Sequence, residues 1–424
     1  MDIDPEASGE IGPQWLRHTL RDGFQHQHAA AALQLGLPLS GEPPSRCAPR
    51  GAAAEETLNV QFTNETKVEA GWTMGFDRDG RELVVVAIKA TFVIPPAGEE
   101  PRLAEKQVPL VQADEFTGEP GVSAPLQESD FAHRKPRCDV LLNGSAYAPH
   151  GNKAERVTVS LSVGPMSKSF DVIGQRVWQE GLLGTAPSVP QPFQATPISY
   201  DTAFGGVDDS DPERPRVFLP NPVGVGYHPR RRKVDGKQAP NTEAAGVPVK
   251  DPTREYQPMS FGPVGRNWHP RVTYAGTYDQ RWLDRQAPFW PKDFDYLYFQ
   301  SAPADQQINY PAGGEEVVLW NLTPQGVARF PLPSVNMPVL FLPHRSKDQQ
   351  IDADLDTVLI EPDFGRFMLT WRVALPMRKS CFDIRETIAG ELPRESHRAR
   401  QTRGKRRYAN LRELIAAQQN RRRP

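Results

Sequence analysis

Residues 156–174 read RVTVSLSVGPMSKSFDVIG. Val157, Val159, Leu161 and Val163 alternate with Thr158, Ser160 and Ser162, and after Gly164 and Pro165 a second run returns through Phe170 and Val172. A period of two sends successive side chains to opposite faces, and the Gly-Pro step reverses the chain. The expectation is a half-exposed antiparallel hairpin. The same idea recurs at 354–376, DLDTVLIEPDFGRFMLTWRVALP, where Phe367, Leu369, Trp371 and Val373 alternate with Arg366, Met368, Thr370 and Arg372 after the turn EPDFG. Between these regions and the amino terminus, LVVVAIKATFVIPPAG (83–98) is β-branched and ends in Pro-Pro, which reads as a mostly buried strand. DVLLNGSAYAP (139–149) reads as a further strand entering a turn. The fold class is therefore mainly β, with antiparallel sandwich-like sheets.

Working outward, residues 185–312 are rich in Pro, Gly, Asn and aromatic side chains. A structureless segment of that length is improbable in a compact domain, so long irregular loops packed by Trp and Tyr over the sheet are expected. Within them HPRRRKVDGKQAPNTEAAG is polar enough to form an exposed excursion. Residues 1–56 read as an extension and linker, with a short helix around 20–35. Residues 57–393 form the β-rich body, which divides into two subdomains at most (57–184 and 185–393). Residues 394–424 form a basic tail in which Leu411, Leu414 and Ile415 fit a short C-terminal helix.

The chain has 424 residues, with 43 Pro and 33 Gly, too many for a helical bundle. Its formal charge of −2 argues against nucleic-acid or anionic-membrane binding by the chain as a whole. The tail differs: eleven Lys or Arg against Glu395 and Glu413 give it +9, which leaves −11 for the rest. Three widely spaced cysteines, Cys47, Cys138 and Cys381, make poor material for a disulfide framework and favour a reducing cytoplasm. The amino terminus has no signal-peptide pattern, and no apolar run reaches the roughly 20 residues a membrane span needs.

The chemical motifs are weak. Asp352, Asp354 and Asp356 imitate the start of a calcium loop but lack its glycine and terminal glutamate, and a solvated strand edge is the simpler reading. His26 and His28 have no metal-binding partners nearby. Gly224 and Gly226 start a GxG without the strand-then-helix unit of a dinucleotide site. Asp293 and Asp295, beside aromatic residues, fit the carboxylate pair of a carbohydrate-active β-sandwich hydrolase, the alternative function. The run 129–139 carries Asp130, His133, Lys135, Cys138 and Asp139, and reads as a structural ion pair in preference to an acid–base pair with a cysteine nucleophile. No catalytic, cofactor-binding or metal-binding residue is expected.

The succession VVVAIKATFVI, ESDFAHRKPRCDVLLNGSAYAP, VTVSLSVG, DVIGQRVW, PISYDTAFGG, NPVGVGY, FGPVGRNWHPR, AGTYDQRW and PKDFDYLYFQSAPADQQ, over roughly 58–335, resembles the domain of unknown function 2169 (DUF2169) family. The pattern falls on Asp130, Lys135, Asp139, Gly144 and Ala146, then Phe204, Gly205, Gly206, Asn221, Gly224, Gly226, Trp268, Arg271, Gly276 and Trp282. It continues on Pro288, Asp293, Asp295, Phe299, Ala302, Gln306 and Gln307. Cys138 departs from it, standing where Thr is expected. The resemblance implies a non-enzymatic cytoplasmic adaptor or chaperone without cofactor. Its partners would be a type VI secretion effector or PAAR-like tip protein and the VgrG-like spike onto which that cargo is loaded. Loops carrying Trp, Tyr, Arg and Pro suit a protein interface, and sheet edges suit strand addition.

Overall fold

The computed structural model describes residues 60–391 apart from 183, 231 and 232. The expected extension, its histidines and the basic tail with its helix lie outside the described residues.

In chain order, the strands of the three larger sheets are β1 (Gln61–Asn64), β2 (Glu69–Phe76), β3 (Glu82–Val93), β4 (Arg102–Leu103), β5 (Cys138–Leu142), β6 (Arg156–Val163), β7 (Met166–Ile173) and β8 (Thr242–Ala244). They continue with β9 (Gln307–Ile308), β10 (Glu316–Trp320), β11 (Val327–Pro331), β12 (Pro338–Pro343), β13 (Gln349–Asp352), β14 (Asp354–Glu361), β15 (Arg366–Pro376) and β16 (Ile384–Ala389). The largest sheet runs β9-β5-β14-β15-β3-β2, with β4 on the end of β3; a second runs β8-β7-β6-β10-β11; a third runs β1-β16-β12-β13. Neighbours are antiparallel except β5 with β14 and β1 with β16, which are parallel.

The alternation in 156–174 forms the hairpin it implies: Val163 pairs with Met166 and Val157 with Val172. Val157, Val159, Leu161 and Val163 are buried, while the hydroxyl-bearing face is open. One apolar cluster joins them to Val84, Val86, Ile88, Ala90 and Phe92 of β3. Phe330 of the second sheet stacks on Phe367 of the first at 5.0 Å, so the two sheets face each other as layers of a sandwich.

Two expectations need correction. β15 is not half-exposed, because Phe367 to Val373 are all buried. Its second face, with that of β3, is roofed by the segment around 104–136 and the turn around 297–303, and polar residues on this face meet partners there. Nor is 228–246 an exposed excursion: Val234 and Ala239 to Glu243 are buried, and Thr242–Ala244 becomes the edge strand β8. Glu243 draws the segment inward, accepting from Arg176 at 2.6 Å and Arg156 at 2.8 Å. The rest of 185–312 consists of short ribbons, single 3-10 turns and one helix, α1 (Gln280–Arg285), capped by Asp279.

Candidate functional site

Of the run 129–139, Asp130, Lys135 and Asp139 are drawn into a polar layer between the largest sheet and its roof, whereas Cys138 faces the apolar core. Lys89 interrupts the apolar β3, and its ammonium meets Asp130 at 2.7 Å. Asp130 also accepts from the Val111 N–H at 2.8 Å. Lys135 pairs with Asp139 at 2.7 Å and donates to the Thr357 hydroxyl at 2.9 Å. Asp139 further accepts from the Ser301 N–H at 2.8 Å, its hydroxyl at 2.9 Å and the Gln300 amide at 2.6 Å. Arg372 pairs with Asp356. Each of these charges is buried and matched, which is the condition for keeping ions out of water. Asp356 therefore belongs to a buried interior strand and not to a solvated edge.

The remaining signature residues are mostly spent inside the loops. Asn221 is fully buried and donates to the carbonyls of Tyr200 and Phe204 at 2.9 and 3.1 Å. Around it, a Cβ on Gly205 would lie 2.1 Å from the Asn221 carbonyl oxygen, and one on Gly206 2.3 Å from that of Gly224. Gly224 and Gly226 are crowded in the same way, by Ala203 and Pro240. Arg271 is buried, paired with Glu128, and donates to the Tyr298 carbonyl at 2.8 Å. Trp268 packs edge-on to Tyr200, and Phe299 lies in an aromatic cluster with Phe294 and Tyr298. Gln306 ties the two sheets together: its amide donates to the carbonyls of Val140 and Phe261, and its oxygen accepts from Lys168 of β7 at 2.7 Å. Gln307 donates to the Ala302 carbonyl, and the half-buried Trp282 to that of Phe289.

Asp293 and Asp295 are exposed. Asp293 accepts from the Thr277 N–H and hydroxyl, and these bonds lower its pKa. Asp295 caps the turn Tyr296–Phe299 through the Leu297 N–H at 2.9 Å. Burial pushes the Cys138 thiol well above its ordinary range, with Asp356 and Asp139 adding to the effect, and burial beside Glu82 pushes Cys381 to about 12. Neither thiol is poised as a thiolate. Among the described residues no group of three or more His, Cys, Asp or Glu is arranged to hold a metal ion.

Two surface features bear on binding. The first is a cleft of about 350 Å³ beside the polar layer, bordered by His133, Arg134, Tyr296, Tyr310, Asp352 and Asp354. Burial, then Arg266, lowers the pKa of His133 to about 4, so the ring is neutral. Burial raises that of Asp354, against the opposing effect of Arg134.

The second is the outer edge of β11, which no other strand among the described residues pairs. The Gly164 N–H donates to the Glu316 carbonyl, and the Leu332 N–H to that of Glu315. Residues 316, 318 and 320 therefore bond toward β6, and 315, 317 and 319 toward β11 through Leu332, Phe330 and Ala328. The main-chain groups of Val327, Arg329 and Pro331 consequently point outward. Beside them stand Trp320, 49 % exposed, and its cross-strand neighbour Val327. Sequence analysis missed both features. Lys89 inside an apolar run was a readable sign of the buried layer, whereas nothing local marks β11 as an edge.

The family model described as "Uncharacterized protein conserved in bacteria (DUF2169)" matches residues 79–372, and the chain belongs to this family. The match begins inside the stretch 58–335 and runs beyond its end to Arg372. No curated protein and no solved structure matches the chain.

Proposed function

We propose that this DUF2169 protein is a non-enzymatic adaptor or chaperone that binds a type VI secretion effector or PAAR-like tip protein in the cytoplasm and promotes its loading onto a VgrG-like spike. The observation that carries the reading is the outer edge of β11. An edge strand beside exposed Trp320 and Val327 suits strand addition, in which main-chain hydrogen bonds supply affinity and alternate side chains supply selectivity. The committed states of Asp293, Asp295, Cys138 and Cys381 support a binding role over hydrolysis.

The test is reconstitution. The full chain is mixed with purified effector, tip and spike proteins from the same genome and resolved by size-exclusion chromatography with mass determination. A defined complex with the effector or the tip is expected. Elution of a folded chain apart from all three would remove the reading.

A further inference from the structure

We propose that the cleft beside the polar layer receives one arginine or lysine side chain presented by a partner polypeptide. The site stands on its own geometry and does not depend on the partner being a secretion protein.

The argument starts from matching. Around the cleft, Arg81 is held by Asp77 at 2.7 Å, Lys135 by Asp139 at 2.7 Å and Arg372 by Asp356. The side chains of Asp352 and Asp354 share its border without an ion pair or hydrogen bond to any described side chain, and the nearest charge answering Asp354 is that of Arg134. Arg134 is the sole cation there without such a pair among the described residues, and its guanidinium lies 6.0 Å from the centre of the Tyr296 ring. Two unmatched carboxylates against one unmatched guanidinium leave a deficit of one positive charge. An incoming guanidinium or ammonium fills it.

Shape agrees with charge. A cleft of about 350 Å³ lies at the small end of ligand sites, which span roughly 300–1,000 Å³. Ile351, Val373, Pro376 and the Tyr310 ring give it an apolar wall, against which the methylene stem of Arg or Lys packs while its head reaches the acids. Tyr310 is fixed by donating its hydroxyl proton to the Lys135 carbonyl, so the wall is preformed. His133, being neutral, does not answer the acids.

The experiment titrates the full chain at neutral pH and low salt with acetyl-Gly-Arg-Gly-amide, and with the same peptide carrying citrulline, a neutral isostere, using calorimetry. The arginine peptide is expected to bind saturably in the millimolar range and the citrulline peptide at least tenfold more weakly. Asp354→Asn should weaken the arginine peptide about tenfold, a loss consistent with one charge-assisted contact, and Arg134→Ala should tighten it. Both positions are exposed, so these variants keep the fold. Equal binding of the two peptides, no saturable binding, or an unchanged affinity in Asp354→Asn would overturn the site. Carbodiimide coupling of Lys405 to Asp352 or Asp354 in the free protein would overturn the assignment to a partner and give the cleft to the chain's own basic segment. Because the probe is a peptide, the result is independent of whether reconstitution with secretion proteins succeeds.

Discussion

Asp139 accepts from Lys135, the Ser301 N–H and hydroxyl, and Gln300, all without solvent. Asp139→Ala strands the buried Lys135 ammonium, and a loss of about 3–5 kcal/mol in urea unfolding is expected. Asn221→Ala takes the donor from the buried Phe204 carbonyl and one of two donors from that of Tyr200, which also accepts from the Ala203 N–H, and should cost about 1–3 kcal/mol by the same measurement. His133 gives a pH signature. Its folded pKa, about 4, lies below the ordinary 6.5, so between these values the unfolded chain holds a proton that the folded chain lacks. Its contribution to stability should fall as pH drops from 7 to 4, by about 3 kcal/mol at 1.36 kcal/mol per unit, and the pH dependence should be shallower by that amount in His133→Gln. These residues were visible as types in the sequence, but their partners were not. Asp130 lies four residues ahead of Arg134 and three ahead of His133, yet its cation is Lys89, 41 positions away.

At the scale of elements, the period of two was sufficient for β6 and β7, whose outer face is open to water. It misled for β15, because a strand with Thr370 and Arg372 on alternate positions looks half-solvated unless the roof carrying Asp130 is known. Arg372 donates to the Asp130 carbonyl at 2.8 Å, so the polar face is a second interior. The edge character of β11 is likewise a property of pairing and not of composition. It can be isolated chemically: the Arg329 N–H points outward, so Arg329→Pro removes a donor for strand addition without breaking a bond to β10. The variant should unfold within about 0.5 kcal/mol of the wild type while failing to bind a partner strand.

At the scale of the molecule, three sheets share a core that runs from Val68 to Ala389, and long loops are pinned over it by buried Asn, Arg, Gln and Gly. The ordered motifs that identified the family record this pinning. Trp268 and Arg271 are of types that favour interfaces and Gln306 stands among the signature positions, but a loop without regular hydrogen bonding also needs long polar side chains to satisfy its main chain. That competing demand explains why the family was legible while the exposed features, β11 and the cleft, were not. The adaptor account is tested most directly by measuring, with calorimetry, the affinity of the effector or tip protein for the wild-type chain and for Arg329→Pro. The account predicts saturable binding by the wild type and at least a hundredfold loss in the variant at unchanged stability. Equal affinity of the two chains, or no binding by either, would contradict it.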